Sequence, residues 1–286
     1  MLYQRWKYAF CWPIDLYSSS PPEKWPGWPD KKKFAFVLTH DVDTERGYAK
    51  VKKLMGLEQR MGFSSSFNFV PERYNVSASL RSTLTERGFE VGIHGLVHDG
   101  KLYESEKIFD ERAFRINKYI NDWGISGFRS PAMHHKLEWI QKLQIKYDAS
   151  TFDTDPFEPQ SDGVRTIFPF WVNRDPSKRG YLELPYTLPQ DFTLFILMKE
   201  KNIDIWIKKL DWLADKGGMA LINTHPDYMS FTRKSNGIED YPVKYYEEFL
   251  DYAKTRHEGQ YWHALPEEIN RFWLSEIQTN CGNSGK

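Results

Sequence analysis

Two carboxylates, Asp41 and Asp43, stand two positions apart in Phe36-Val37-Leu38-Thr39-His40-Asp41-Val42-Asp43-Thr44, where an apolar run stops abruptly at Thr39. A His-x-x-x-His pair, His94 and His98, lies in Ile93-His94-Gly95-Leu96-Val97-His98-Asp99. Arg129 follows in Gly127-Phe128-Arg129-Ser130-Pro131, and His225 in Ala220-Leu221-Ile222-Asn223-Thr224-His225-Pro226. Two imidazoles and one carboxylate make a three-ligand site with positions open to water, the pattern of a catalytic metal. Such an ion lowers the pKa of water and polarises a carbonyl oxygen. A second carboxylate can then take a proton from water, and an opposing histidine can protonate a leaving nitrogen. Those are the needs of amide hydrolysis.

Taken singly, each signal also has a plainer meaning. Asp43 or Thr44 would cap the next helix, a His-x-x-x-His pair is often incidental, and a strand-end histidine or lone arginine is commonly structural. Capping, however, leaves His40 and Asp41 without a job. The joint placement of these residues carries more weight, and it depends on the elements that bear them.

From Lys33 onward, short β-like runs alternate with helix-like stretches. The runs are Phe34–Asp41, Ser65–Pro71, Phe89–His94, Ile125–Pro131, Tyr147–Phe152, Tyr181–Leu188, Met219–His225 and Gln260–Leu265. The helices between them are Glu45–Met61, Ser77–Arg87, Glu104–Trp123, His135–Gln144, Ile203–Lys216 and Lys244–His257. In the Ile203 segment, Ile203, Trp206, Ile207, Leu210, Leu213 and Ala214 share one face at helical spacing, and Gly217-Gly218 ends it. Strands alternating with helices imply parallel pairing with right-handed crossovers, and seven or eight such units argue for a barrel. Asp41, Asp43, His94, Arg129 and His225 each end a run, and Asp153 and Asp155 follow the fifth, so all converge on the barrel's C-terminal rim. His134, His135 and His257 sit at helix ends and His263 within a strand, and these are read as structural.

The rhythm breaks over residues 153–180, a polar stretch with Pro156, Pro159, Pro169 and Pro176, expected to lie over one face as a loop or short hairpin. Its aromatics, Phe157, Phe168, Phe170 and Trp171, suit either a cleft wall or packing onto the barrel. Residues 1–30 read as an irregular N-terminal arm, rich in Pro and Ser from Tyr17, and residues 31–286 as a single domain.

Composition limits the function classes. Net charge is zero with 27% charged residues, which argues against a nucleic-acid binder acting through a broad basic surface. Cys11 and Cys281 form no disulfide framework or cysteine zinc motif. The longest apolar run, Phe195-Ile196-Leu197-Met198, is too short to span a membrane. The segment Met1–Trp12 lacks the apolar core and small-residue cleavage site of a signal peptide, so a cytoplasmic location is the expectation.

In combination, these residues resemble the polysaccharide deacetylases of the NodB-homology type, carbohydrate esterase family 4. Thr39-His40-Asp41-Val42-Asp43 stands where the family has Thr-Phe-Asp-Asp-Gly; His94 and His98 match its His-x-x-x-His; Arg129 and Pro131 match Arg-x-Pro-Tyr, with Ala132 replacing the Tyr; Leu221–His225 match its apolar strand ending in His. Trp262–Glu268 is similar to the family's final strand and helix, so the resemblance spans about residues 34–274. It implies a distorted (β/α) barrel with Asp41 as general base, His225 as general acid, Arg129 orienting Asp41, and Asp43, His94 and His98 binding a divalent ion. That ion would be zinc, with cobalt, nickel or manganese as alternatives. Asp153 or Asp155 would tune His225. The inserted Val42 makes Asp43 the acidic ligand, which is feasible because side chains two apart on an extended chain point to one side. Ala132 still offers the main-chain N–H that the family uses as an oxyanion donor.

The implied activity is N-deacetylation of an amino sugar in polysaccharide or glycoconjugate metabolism. The run Asp41-Val42-Asp43-Thr44-Glu45-Arg46-Gly47 is also similar to deformylases of lipid-linked formamido-arabinose, which adds formyl amides. A cyclic-amide hydrolase or a non-catalytic carbohydrate-binding relative are the other readings. The doublets His40-Asp41 and His98-Asp99 raise an HD-type phosphohydrolase, but that fold is all-helical and both doublets here follow β-like runs.

Overall fold

In the computed structural model, which describes residues 14–23, 25–153, 163–173, 180–232 and 237–282, one strand carries the architecture. β1 (Phe34–Val42) is buried at all nine positions. The other strands are β2 (Ser66–Phe69), β3 (Glu90–His94), β4 (Gly127–Arg129), β5 (Tyr147–Asp148), β6 (Phe170–Val172), β7 (Tyr181–Glu183), β8 (Met219–Thr224), β9 (Met229–Ser230), β10 (Tyr241–Pro242) and β11 (Tyr261–His263). β1 pairs with β8 along Ala35–His40. On its opposite edge β11 takes Phe34–Phe36 and β2 takes Thr39–Val42. From β2 the sheet continues through β3, β4, β5 and β7 to β6. All these pairings are parallel except β6 with β7.

The curled sheet closes beyond β7. The amides of Thr187 and Leu188 donate to the Leu221 carbonyl at 3.0 and 3.1 Å, and the Thr187 hydroxyl donates to the Met219 carbonyl at 2.7 Å. The result is the distorted (β/α) barrel that the alternation implied. Each expected run contains a strand, and β1 extends one residue past its run, to Val42.

The helices are α1 (Glu45–Tyr48), α2 (Val51–Met61), α3 (Ala78–Glu86), α4 (Glu106–Trp123), α5 (Leu137–Ile140), α6 (Asp204–Lys216), α7 (Lys244–Arg256) and α8 (Pro266–Gly282). The single helix expected over Glu45–Met61 is two, α1 and α2. The break falls at Ala49–Lys50, where the Lys50 ammonium reaches the carbonyls of Pro226 and Asp227 at 2.9 and 2.8 Å. The helix expected over His135–Gln144 shortens to α5. A π-helical turn, Phe192–Leu197, has no counterpart in the sequence reading.

Burial follows the apolar periodicity. On α6, Trp206, Leu210, Leu213 and Ala214 are buried, and each of the leucines contributes about 1.5–3 kcal/mol on leaving water. Lys209 is buried with them because its ammonium meets Asp153 at 2.6 Å. In the inserted stretch, Phe168 is core, its ring 5.6 Å from Trp25, and Phe170 and Trp171 lie in β6 on the outer edge of the sheet. Phe157 and Asp155 fall outside the described residues. Trp28 donates its indole N–H to the Gly217 carbonyl at 2.8 Å, fixing the segment before β1 against the end of α6. No helix among the described residues is long and apolar enough to cross a membrane.

At the N-terminal end of the strands, Glu90 accepts the first-turn N–H of Glu267 on α8 at 3.0 Å and the Tyr147 hydroxyl. Burial pushes the Glu90 carboxyl from 4.5 up to about 7. The folded chain therefore holds this proton more tightly than the unfolded chain, so the linkage makes stability fall as pH rises from about 4.5 to about 7. Glu90→Gln removes this dependence. Its Tm is expected to fall less between pH 5 and pH 8 than that of the wild type in parallel thermal melts, and equal falls would exclude the assignment.

Candidate active site

Strand alternation sorts the motif residues. Thr39 and Asp41, and Asp43 just past the strand end, point one way, and His40 and Val42 the other. The inner set meets Arg129 at the end of β4. The Arg129 guanidinium is fully buried; its Nη2 donates to the Thr39 hydroxyl at 2.8 Å, and its Nε lies 3.3 Å from Asp41 Oδ1. Asn68 on β2 donates to Asp41 Oδ1 at 3.0 Å, and Asn223 on β8 donates to Oδ2 at 2.8 Å. Gly92, the register partner of Asn68 on β3, leaves space for that amide, since a Cβ there would sit 2.2 Å from Asn68 Oδ1. Burial opposes ionisation of Asp41, but His94, Arg129, His225 and the Asn68 hydrogen bond outweigh it and hold its pKa below the usual carboxylate range.

Asp43 has different neighbours. His94 Nε2 and His98 Nε2 each lie 3.3 Å from Asp43 Oδ1, and ligand atoms of the three residues fall within 4.8 Å of one another. His94 Nδ1 is 3.1 Å from the Arg129 carbonyl. A carbonyl only accepts, so Nδ1 carries a proton, and Nε2 is the ring nitrogen turned toward Asp43. Asp43 Oδ1 is buried and makes no hydrogen bond of acceptable geometry. Two ring nitrogens converging on a buried carboxylate oxygen that lacks a hydrogen bond of good geometry fit a bound cation, and the donor set of two nitrogens and one oxygen fits zinc or its neighbours. Burial opposes ionisation of Asp43 too, and the imidazoles of His94 and His98 outweigh it, holding the carboxyl well below its ordinary value.

Across the cleft, His225 follows β8. Its Nδ1 is 2.7 Å from Asp191 Oδ1, and its main-chain N–H donates to Asp191 Oδ2 at 2.8 Å. Tyr241 donates its hydroxyl to the same Oδ2 at 2.9 Å. Asp191 stands at the start of the π-helical turn and is fully buried. The partner of His225 is thus neither of the acids expected from the sequence: Asp153 is engaged by Lys209 on the outer layer, and Asp155 lies outside the described residues. Burial lowers the pKa of His225, but the Asp191 charge and hydrogen bond, with Asp43 and Asp41 behind them, push it up to about 10.

These groups open into one cavity of about 360 Å³, lined by Asp41, Asp43, His94, His98, Gln190 and His225 together with Ala132, Met133, Phe192, Thr193, Leu197 and Tyr228. Ala132 sits in a left-handed turn at φ 53°. Gly95, next to His94, allows that turn to approach, since a Cβ there would meet Pro131 Cγ at 2.3 Å. The Phe192 and Tyr228 rings lie 5.1 Å apart and form an aromatic wall.

No family model and no curated protein sequence matches this chain. Solved structures do. A protein assigned as a polysaccharide deacetylase from Mycobacterium smegmatis superposes with a TM-score of 0.68 at 16% identity, covering 92% of this chain and 96% of its own. A second such protein, from Pseudomonas aeruginosa PAO1, gives 0.67 at 18%, covering 93% and 99%. PuuE allantoinase gives 0.67 at 17%, covering 93% and 98%. The chain has the fold of the NodB-type polysaccharide deacetylases.

In this deacetylase fold the six residues singled out from the sequence, Asp41, Asp43, His94, His98, Arg129 and His225, come together at the C-terminal ends of β1, β3, β4 and β8. Asn68, Asn223, Asp191 and Tyr241 were missed. Asp191 had a readable signal, because it closely follows the run Tyr181–Leu188 as the other acids follow theirs. The asparagines were legible only as polar residues inside apolar strands. His40 joins no chemistry: its ring bridges Thr224 Oγ1 at 2.7 Å and Glu58 Oε1 at 2.8 Å, on the helix-covered side of the sheet.

Asp191→Asn removes the charge that raises the His225 pKa and leaves burial, which lowers it. If protonated His225 is required for turnover, the alkaline limb of kcat/KM is expected to move about 1–3 pH units toward lower pH. An unmoved limb would show that Asp191 does not set the protonation of His225.

Proposed function

We propose that this chain is a metal-dependent hydrolase of carbon–nitrogen amide bonds that removes the acetyl group from an N-acetylated amino sugar, a precursor of a polysaccharide or glycoconjugate. The observation that carries the reading is one cavity joining a metal-type donor set, an ionised carboxylate and a protonated histidine on facing sides. Asp43, His94 and His98 hold the divalent ion, zinc ahead of cobalt, nickel or manganese. When bound, that ion supplies Lewis-acid polarisation of the amide carbonyl and acidifies water.

The remaining roles belong to the chain's own groups. Asp41 takes the proton of the attacking water, with Asn68, Asn223 and Arg129 fixing its carboxylate so that it turns little during transfer. His225, with Nδ1 held by Asp191, presents Nε2–H to the departing nitrogen. Ala132 borders the cavity where its main-chain N–H can meet developing negative charge. Met133, Leu197, Phe192 and Tyr228 give an apolar wall for the acyl methyl and one sugar face. A cavity of about 360 Å³ lies near the lower end of ligand pockets, which run from about 300 to about 1,000 Å³, and suits a single sugar residue better than a polymer. Hydrolysis of a cyclic amide is the second reading, favoured by the likeness to PuuE allantoinase over nearly the full length of both chains.

The test is product release from a panel of N-acetyl and N-formyl amino sugars, free and nucleotide- or lipid-linked, with a cyclic ureide alongside. Acetate release is expected, abolished by a chelator and restored by zinc. Asp41→Asn is expected to lower kcat by about 10²–10⁴-fold while metal content persists, and His94→Ala to lose the metal as well as activity. A purified protein without divalent ion, whose turnover His94→Ala left unchanged, would end the hydrolase reading.

A further inference from the structure

We infer that Asp227 is a positioning residue for the metal ligand Asp43, so that the loop bearing the acid His225 also fixes the geometry of the metal site. The inference rests on the metal reading above. β1 ends at Val42, so the N–H groups of Asp43 and Thr44 lie beyond the sheet ladder and need acceptors elsewhere. Asp227, two residues after His225, supplies both. Its Oδ2 accepts the Asp43 N–H at 3.0 Å, and its Oδ1 accepts the Thr44 N–H at 3.0 Å and the Thr44 hydroxyl. Tyr74 donates its hydroxyl to the Val42 carbonyl just before. The main chain on both sides of the Asp43 side chain is thereby held.

The approach of Asp227 is built into the neighbouring sequence. A Cβ on Gly47 would stand 2.0 Å from Asp227 Oδ2, so glycine is needed there for space. One helical turn on, Lys50 clamps the same loop by donating to the carbonyls of Pro226 and Asp227. Thr44, Gly47 and Lys50 therefore serve one contact, which gives the residues following Asp43 a purpose that the catalytic roles left unexplained. Both Asp227 oxygens are committed to these donors, and Asp227 is not among the clustered ligand atoms, so it acts through Asp43 rather than as a further ligand.

The chemistry also requires an acid. A carboxylate turns an acceptor to each N–H, whereas an asparagine would set its own NH₂ against one of them. Asp227→Asn is thus a disruptive change despite its shape, and Gly47→Ala disturbs the same contact from the other side without touching a polar group. The experiment is competition of the full chain with a chromophoric chelator for Zn²⁺, beside thermal melts. Both variants are expected to bind Zn²⁺ about 10–100-fold more weakly than wild type. Ile120→Val, a core truncation on α4, reports how much a mere loss of stability moves affinity and is expected to leave it unchanged. If Asp227→Asn does not fold, Gly47→Ala alone carries the test. Wild-type affinity in the folded variants would overturn the inference and leave the metal site standing. A wild-type chain that binds no Zn²⁺ would overturn the metal reading itself and the inference with it.

Discussion

Two carboxylates two residues apart at the end of one buried strand would repel each other in a cleft that excludes much of the water, and burial penalises each charge further. The rest of the site is organised around this constraint. Asp41 is compensated by a guanidinium and two carboxamides arriving from three other strands. Asp43 is compensated by two imidazoles, one ending β3 and one in the loop after it. The first environment stabilises a fixed carboxylate with its lone pairs largely occupied. The second brings two ring nitrogens and a carboxylate oxygen to one point, which is the donor set a cation requires.

The same alternation explains what lies behind the site. On β8, Asn223 reaches the cleft, Thr224 turns to the opposite side and His225 turns back. On β1, His40 turns outward and meets Thr224. Their contact continues to Glu58, which also accepts from Ser65 and Tyr246. All of these groups are buried, and each is satisfied by the next, so the network ties β1 and β8 to α2 and α7 without exposing a polar group to the core. The strands that carry base and acid are therefore joined from behind by polar contacts and in front by the carboxamide of Asn223.

The acid side depends on the least regular backbone. Asp191 is delivered by a π-helical turn, and the turn's next residues, Phe192, Thr193 and Leu197, line the cavity. One short element thus sets the charge behind His225 and part of the wall that a substrate would touch. Substitutions along this turn could alter the wall while the strands, with the cation-type cluster and the base, stay as they are.

The fold was legible in the sequence because it is repetitive: eight apolar runs, each followed by a segment of helical or turn character, leave a parallel barrel as the economical way to bury them. The inner residues were legible for the same reason. Asp41, His94 and His225 each close a run, Arg129 lies two residues from the end of one, and strand ends are where such a barrel gathers its side chains. What the sequence could not supply were pairings across long separations. Asn68, Asn223, Asp191, Tyr241 and Asp227 act only through partners many residues away, and a polar residue inside an apolar run does not by itself name the group that it clamps. Asp153 follows its run as the other acids follow theirs, but Lys209 holds it on the outer layer, away from His225. The sequence by itself determined the set of chemical groups and the rim they share, because alternation and strand ends are local properties. Tertiary structure alone decided which acid meets which base, because that follows from how the sheet curls and closes on β8.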